Sequence, residues 1–322
     1  MRKSAKMVCM AILFLIGLIL TSYPYLARFI FYLQSQEEIS TFQEIADIDN
    51  ASDPIPSNIT TTEDPAAVPD RYTDLYLAMQ NYNTALYTSG QTGLDGVDSY
   101  ETPPVDLADY GIDFDAVGYI SIPAMEVELP LYLGASSENM TKGAVVLGQT
   151  SLPIGGANTN CVIAAHRGYQ GIPYFREIER LQVGDTVEVT TFWDTMCYQV
   201  IGWQIVPSDS VDQILIQSGK DMITLLTCHP YRIGTQRYLV YCERSERKTT
   251  ASDEPEAVNS ASDEEVYSPS IYPFEDVLTA PVDDSSQFEI EVEKTIQNTG
   301  LVIVLIAGIS IFINTRKRKS GG

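Results

Sequence analysis

The sequence predicts an all-β domain, either a sandwich or a closed barrel, within residues 117–244 of a 322-residue chain. About eight short runs rich in Val, Ile, Leu and Tyr occur there, and turns rich in Gly, Pro and Asn separate them. Residues 117–244 hold 12 acidic and 8 basic side chains, whereas the whole chain holds 43 and 20, a net charge of −23. A nearly neutral segment between acidic flanks is typical of a folded domain carried by solvated linkers.

The β runs follow one another closely along this domain. The predicted strands are 118–123, 127–132, 143–147, 161–166, 186–191, 197–206, 214–216, 224–228 and 237–243. A single helical turn is predicted around Tyr174 to Leu181. The chain has no internal repeats.

Apolar segments near both termini predict membrane anchors. Residues 7–26 and 296–315 are apolar, and basic residues flank each of them on its terminal side. Each is close to the roughly 20 residues that span a bilayer. The positive-inside rule places residues 1–6 and 316–322 in the cytoplasm and the rest outside, so we expect a membrane protein with two transmembrane helices and an extracellular β domain. A cleaved signal peptide is the alternative for the first segment.

The regions between these segments and the β domain are acidic. Residues 23–116 hold 17 acidic and 2 basic side chains, and residues 245–295 hold 14 and 3. Residues 27–70, rich in Ser, Thr, Asp and Pro, are predicted to be an extracellular stalk, and residues 245–295 an acidic linker. So acidic a chain disfavours nucleic acid as a partner, because phosphate binding needs a basic face.

An N-terminal helix and a possible lid are predicted over residues 71–116. Within 71–89, apolar and aromatic residues recur at steps of three and four, as on one face of a helix: Tyr72, Leu75, Tyr76, Met79, Tyr82, Asn83 and Leu86. Residues 90–112 are rich in Gly and Pro and are predicted to form a loop.

Three of the β runs end or begin at a chemically reactive residue. The run 161–165 leads into His166, the run 224–228 ends at Cys228, and Arg237 opens the next run. A thiol, an imidazole and a guanidinium are the groups that a cysteine nucleophile needs for attack, proton transfer and oxyanion stabilisation. The sequence therefore indicates His166, Cys228 and Arg237 as candidate catalytic residues.

Each of these residues also has a structural interpretation. A strand cysteine is usually a small buried hydrophobe, a lone histidine is usually a hydrogen-bonding residue, and an arginine before a strand is often solvated. His229 adjoins Cys228, but neighbours on an extended chain point to opposite faces, so His166 is the predicted partner.

The cysteine spacing favours neither a metal site nor a disulfide framework. No cofactor or metal is expected, because a zinc site that included Cys161 and His166 would span roughly 16 Å along one strand. A single bridge between Cys197 and Cys242 remains open.

Residues 118–243 resemble the sortases, membrane-anchored cysteine transpeptidases of Gram-positive bacteria with a closed eight-stranded barrel. Residues 224–228 (TLLTC) fit the family's T-L-x-T-C signature, residues 165–168 (AHRG) its histidine segment, and residues 237–240 (RYLV) its R-x-L-V segment. The resemblance implies a closed barrel with short helices, an N-terminal helix and a transmembrane helix at each end. It also implies catalytic roles for His166, Cys228 and Arg237.

Several features are similar to the pilus-building class C branch: residues 148–156, residues 228–231, the helix within 71–89 and the second anchor. That branch usually carries a lid with an Asp-Pro-aromatic motif between helix and barrel. No such motif occurs within 88–112, and Tyr100 is the candidate substitute.

The resemblance implies cleavage of a Leu-Pro-x-Thr-Gly-type sorting signal between Thr and Gly. The acyl group would pass through a cysteine thioester to an amine, a pilin lysine in pilus assembly. The expected partners are pilins or surface proteins with a C-terminal sorting signal, an acceptor amine and the membrane. The alternatives are a housekeeping-type sortase that anchors proteins to the cell wall, a hydrolytic cysteine peptidase, and a surface module without enzymatic activity.

Overall fold

The computed structural model describes residues 2–50, 72–92, 94, 100–168 and 172–246, together with isolated positions between 291 and 309. The expectations for stalk residues 51–70, for most of the acidic linker and for the C-terminal tail fall outside these residues.

Eight strands form a closed barrel, which confirms the predicted fold class. The strands close in the order β1-β2-β3-β4-β7-β8-β6-β5. β4 runs parallel to β7, and β8 pairs antiparallel with both β7 and β6. The strands are β1 (Ala116–Ile122), β2 (Val127–Leu133), β3 (Ala144–Val146), β4 (Thr159–Ala164), β5 (Thr186–Thr191), β6 (Thr195–Pro207), β7 (Asp221–His229) and β8 (Gln236–Arg244).

One predicted strand is wrong. The apolar run 214–216 lies in the long connection between β6 and β7, where Asp212–Ile214 forms a 3-10 turn. Ile214 is buried and packs onto the outside of the barrel, so its apolar character reflects burial of a loop. The helical turn predicted around 174–181 is confirmed as the 3-10 turn Ile178–Arg180.

Within the described residues up to 246, three α-helices accompany the barrel: α1 (Arg2–Asn50), α2 (Thr73–Thr88) and α3 (Ser137–Lys142). The buried residues of α2 lie among those that the helical periodicity selected, which confirms that helix. Within the described part of the chain, none of the helices combines the length and the hydropathy needed to cross a membrane.

The stalk prediction is wrong for its first part, because α1 continues to Asn50 and packs on the barrel. Ile39 and Phe42 of α1 are buried, and the Phe42 ring lies 4.8 Å from that of Phe192. The side chain of Gln36 donates to the Glu128 carboxylate at 2.9 Å. The residues that make these contacts are separated by polar residues. The sequence of this part of α1 therefore shows no sustained helical periodicity of apolar residues.

We expect Phe42→Ala to lower the free energy of unfolding by about 3 kcal/mol, because it removes a fully buried aromatic ring between α1 and the barrel. Glu44→Ala, at an exposed position of the same helix, is the matched control and should change stability little. Urea unfolding of both variants measures the difference. Equal stability of the two variants would mean that the α1 contact contributes nothing to the folded state.

Two apolar clusters divide the faces of the barrel. Alternate residues of all eight strands form the larger cluster, which fills the interior and extends to α1 and α2. The second cluster covers the outer face of β3, β4, β7 and β8, and includes Val162, Ala164 and Leu239. Ile214 of the β6–β7 connection and Leu94 cover this outer face.

Candidate active site

Strand register brings the three predicted residues to one end of the outer face. Cys228 of β7 is the direct partner of Arg237 of β8. β4 pairs with β7 so that Ala164 lies beside Leu226, and two residues further along each chain come His166 and Cys228. Since side chains alternate, all three residues share the face that carries Ala164, Leu226 and Leu239.

Cys228 is the exposed thiol among the described cysteines. Cys161, Cys197 and Cys242 are buried, and none of these four cysteines forms a disulfide, so the bridge between Cys197 and Cys242 does not form. Cys242 instead lies opposite Val200 of β6. Burial raises the pKa of the Cys161 and Cys242 thiols, which keeps both protonated and unreactive at neutral pH.

His166 lies in a half-buried position beside an aromatic side chain. Its ring centroid is 5.7 Å from that of Tyr174, and burial lowers the pKa of the imidazole below its usual value. Tyr174 is itself buried, donates its hydroxyl to the Thr141 carbonyl at 2.7 Å, and meets Phe31 of α1 at 5.0 Å. Helix α1 therefore packs, through Phe31, against the Tyr174 side chain that contacts His166. The sequence did not indicate this contact.

Arg237 contacts the loop that follows Cys228. Its Nη1 donates to the carbonyls of Gly234 at 3.1 Å and Gln236 at 3.0 Å. These bonds hold the guanidinium group and the β7–β8 loop together at the mouth of the site. A planar group with several fixed donors can keep such bonds and still offer a donor to an oxyanion.

Gly234 lies directly against the candidate nucleophile. Its φ is +71°, and a Cβ there would stand 3.5 Å from the Cys228 Cβ and 3.9 Å from its Sγ. A side chain at this position would therefore adopt an unfavourable backbone conformation and also cover one side of the sulfur.

Gly234→Ala is expected to slow alkylation of Cys228 by iodoacetamide several-fold, because the added methyl group crowds the sulfur. Gly219→Ala is the matched control, since Gly219 has a φ of +79° and nothing within 4 Å of its missing Cβ. Each variant should lose about 1 kcal/mol of stability from left-handed strain, but only the first should protect the thiol. Equal alkylation rates in the two variants would show that the loop does not control access to the sulfur.

A buried ion pair lies on the inner side of the same strand ends. Arg167 and Glu179 form a salt bridge through Arg167 Nη2, with side chains 2% and 0% exposed. Arg167 Nη1 is 2.7 Å from Nδ1 of His229, which is also buried. His229 thus points away from the Cys228 side chain, as the alternation of an extended chain predicts.

Leu94 and Tyr100, which lie between α2 and the barrel in the sequence, pack on the outer face. Leu94 is buried in the outer-face cluster, and Tyr100 donates its hydroxyl to the Leu94 carbonyl at 3.2 Å. The Tyr100 carbonyl accepts from the backbone amides of Ala135 at 2.8 Å and Gly148 at 3.0 Å. These hydrogen bonds therefore connect Tyr100 to the ends of β2 and β3.

The described residues include no group of three or more His, Cys, Asp or Glu side chains that could hold a metal ion.

Comparison with known proteins matches residues 120–245 to the sortase domain family. Sortase D of Bacillus subtilis (strain 168) is 27% identical over 132 residues, which are 40% of this chain and 64% of that protein. The structure of sortase C-1 from Streptococcus pneumoniae is 29% identical, with a TM-score of 0.53 over 66% of this chain and 99% of that one. Sortase C1 of GBS pilus island 1 is 24% identical, with a TM-score of 0.54 over 66% of this chain and 99% of that one. It resembles this chain in fold.

The sequence match spans under two thirds of the length of these curated relatives, 64% of sortase D and 57% of Bacillus anthracis sortase A. The match to the sortase domain family, residues 120–245, includes every strand from β2 to β8 and all three candidate catalytic residues. The domain match, the barrel topology and the structural similarity lead to one conclusion: residues 120–245 of this chain form a domain of the sortase family.

Proposed function

We propose that this chain is a cysteine transpeptidase that cleaves a Leu-Pro-x-Thr-Gly-type sorting signal between Thr and Gly. The observation that carries the proposal is the register of the strand ends. β4 pairs in parallel with β7 up to Ala164 and Leu226, and His166 and Cys228 each lie two residues beyond that pair. Antiparallel pairing of β7 with β8 makes Cys228 the direct partner of Arg237. Cys228 is exposed at this point, so a peptide can reach its sulfur.

In the first half-reaction the Cys228 thiolate attacks the Thr carbonyl carbon and forms a C–S bond. Arg237 stabilises the tetrahedral oxyanion or orients the peptide, because its fixed donors suit either task. The C–N bond then breaks, and protonated His166 gives its proton to the departing glycine amine. The products are a thioester on Cys228 and the released C-terminal peptide.

In the second half-reaction an amine attacks the thioester carbonyl. Neutral His166 removes the proton of the amine, and the Cys228 thiolate leaves. Burial lowers the pKa of His166, so the imidazole of the free enzyme is mostly neutral at pH 7. The first half-reaction depends on the minor protonated form, and the second uses the abundant one.

We propose a pilin lysine as the acceptor amine, which makes pilus assembly the biological process. The support is the similarity to structures named for class C and for a pilus island, together with a fold that includes α2 ahead of the barrel. A housekeeping-type sortase is the second candidate, and the similarity to sortases A and D favours it.

The proposed location is the cell membrane, with the barrel outside. The support is the sequence pattern of two apolar segments with basic terminal flanks. In this arrangement α1 (Arg2–Asn50) contains the first apolar segment, continues past it and packs on the barrel through Phe42.

The acceptor is tested by incubating the purified chain with a sorting-signal peptide and either a lysine-bearing pilin domain, a glycine peptide or water alone. An isopeptide-linked product with the pilin, identified by tandem mass spectrometry and missing in Cys228→Ala, is expected. Ligation to the glycine peptide alone would favour a cell-wall acceptor. Hydrolysis as the only reaction would contradict the transpeptidase proposal.

A further inference from the structure

The residues directly before and after the candidate catalytic pair are tied together across β4 and β7. On the preceding side, the Thr227 hydroxyl donates to the Ala165 carbonyl at 2.7 Å. On the following side, Arg167 Nη1 lies 2.7 Å from His229 Nδ1 and 3.4 Å from the Cys228 carbonyl oxygen. His166 and Cys228 thus lie between two cross-strand ties.

Arginine has no acceptor atom, so it must donate to His229 Nδ1. The Nδ1 atom of His229 also lies 3.5 Å from Glu179 Oε1. The same guanidinium group meets Glu179 through Nη2, and its carbon lies 5.6 Å from the centre of the Tyr238 ring. One buried cation thus contacts groups from the end of β7, from the 3-10 turn Ile178–Arg180 and from β8.

We propose that Arg167, oriented by Glu179, is a positioning residue that fixes the separation between His166 and Cys228. Arg167 follows His166 in the chain and binds the carbonyl of Cys228 itself, so a shift of the guanidinium group moves both catalytic residues relative to each other. This inference rests on the proposed function, in which these two residues form the catalytic pair.

The contacts require an arginine. Its planar fork reaches Glu179 with one terminal nitrogen while the other lies near His229 and the Cys228 carbonyl. A lysine keeps the charge opposite Glu179 but offers a single nitrogen at the end of a flexible stem. Arg167→Lys therefore keeps the positive charge opposite Glu179 and removes the planar group that reaches His229 and the Cys228 carbonyl.

We expect Arg167→Lys to reduce kcat for acyl-enzyme formation by roughly 10- to 100-fold, because displacement of a reacting group by about 1 Å has an effect of this size. KM for the peptide should change less than about twofold, since the substrate does not touch the inner side of the strands. Arg180→Lys, on the same 3-10 turn as Glu179 and half exposed, is the matched control and should keep the wild-type kcat.

Loss of folding is separated from loss of positioning with a second variant. The double variant Arg167→Met with Glu179→Gln removes both buried charges, so neither is left without its partner. It should recover much of the stability that Arg167→Met alone loses, and its kcat should remain as low as that of Arg167→Lys. Recovery of kcat together with the melting temperature would reduce Arg167 to a structural residue and overturn the proposal.

Alkylation of Cys228 by iodoacetamide gives a measurement that needs no sorting signal. If Arg167 positions the pair, Arg167→Lys should change the rate and pH dependence of alkylation several-fold relative to Arg180→Lys. Wild-type alkylation in a folded Arg167→Lys variant would contradict the inference. If the wild-type chain formed no acyl-enzyme, the proposed function would fail, but this comparison would still decide whether Arg167 positions the thiol.

Discussion

Replacing Cys228 with alanine is expected to abolish acyl transfer, with a loss of roughly 10⁴-fold or more, as for removal of other catalytic nucleophiles. No other described cysteine can replace it, because Cys161, Cys197 and Cys242 are buried. The barrel should still fold, since the Cys228 side chain is exposed at the end of its strand and contributes little packing. Product formation from a sorting-signal peptide, followed by chromatography, measures the rate.

Cys197→Ala is the control for cysteine removal as such. It takes a sulfur from a buried position, so it should lower stability by about 1 kcal/mol and leave acyl transfer near the wild-type rate. Transfer retained by Cys228→Ala, or lost equally in both variants, would rule out Cys228 as the nucleophile.

The second large effect is expected from the two histidines, the only ones in the chain. His166→Ala should reduce turnover by roughly 10³-fold or more, because general acid and general base steps are both lost. His229→Ala should keep most activity, because His229 is buried on the inner side, away from the Cys228 sulfur. In that variant Arg167 keeps its salt bridge with Glu179. Steady-state rates of both variants with one peptide test the contrast.

The stability of the two variants gives the control for this comparison. His229 is almost fully buried, so its removal should lower the melting temperature more than removal of half-buried His166. The variant with the lower stability is thus expected to have the higher activity. If His229→Ala abolished turnover as completely as His166→Ala, the assignment of His166 as the proton-transfer residue would be wrong.

Local sequence patterns predicted the barrel well. Each strand carries an apolar run bounded by turn residues, and whether such a run forms a strand depends mainly on residues within the run. The three candidate catalytic residues lie at the ends of such runs. The sequence alone could therefore indicate them as one candidate site before the strand order was known. The run 214–216 failed because a loop buried on the outer face has the same apolar character as a short strand.

Contacts between distant segments could not be predicted in this way. Phe42 is one aromatic residue within an acidic stretch, and its burial follows from its contacts with the distant residues Tyr119 and Phe192. The contact of Phe31 with Tyr174, and of Tyr174 with His166, likewise joins residues from separate parts of the chain. The resemblance to sortases directed attention to His166, Cys228 and Arg237, whereas these supporting contacts follow from packing alone.

The Arg167 cluster is the clearest example. Arg167 follows His166 directly and lies in the AHRG segment that resembles the sortases, but neither observation predicted its burial beside Glu179. Its partner Glu179 lies 12 residues further along, in a 3-10 turn whose position depends on the tertiary fold. A charged residue there would be read as exposed, because buried carboxylates are rare without a partner.

The central claim, a covalent acyl-enzyme on Cys228, is tested most directly by intact-mass measurement. The purified chain is mixed with a Leu-Pro-x-Thr-Gly peptide without an acceptor amine and quenched in acid, which preserves thioesters. The account predicts a mass increase equal to the peptide fragment that ends at Thr, located on Cys228 by peptide mapping and absent in Cys228→Ala. An unchanged mass despite cleavage of the peptide, or a mass increase that persists in Cys228→Ala, would contradict it.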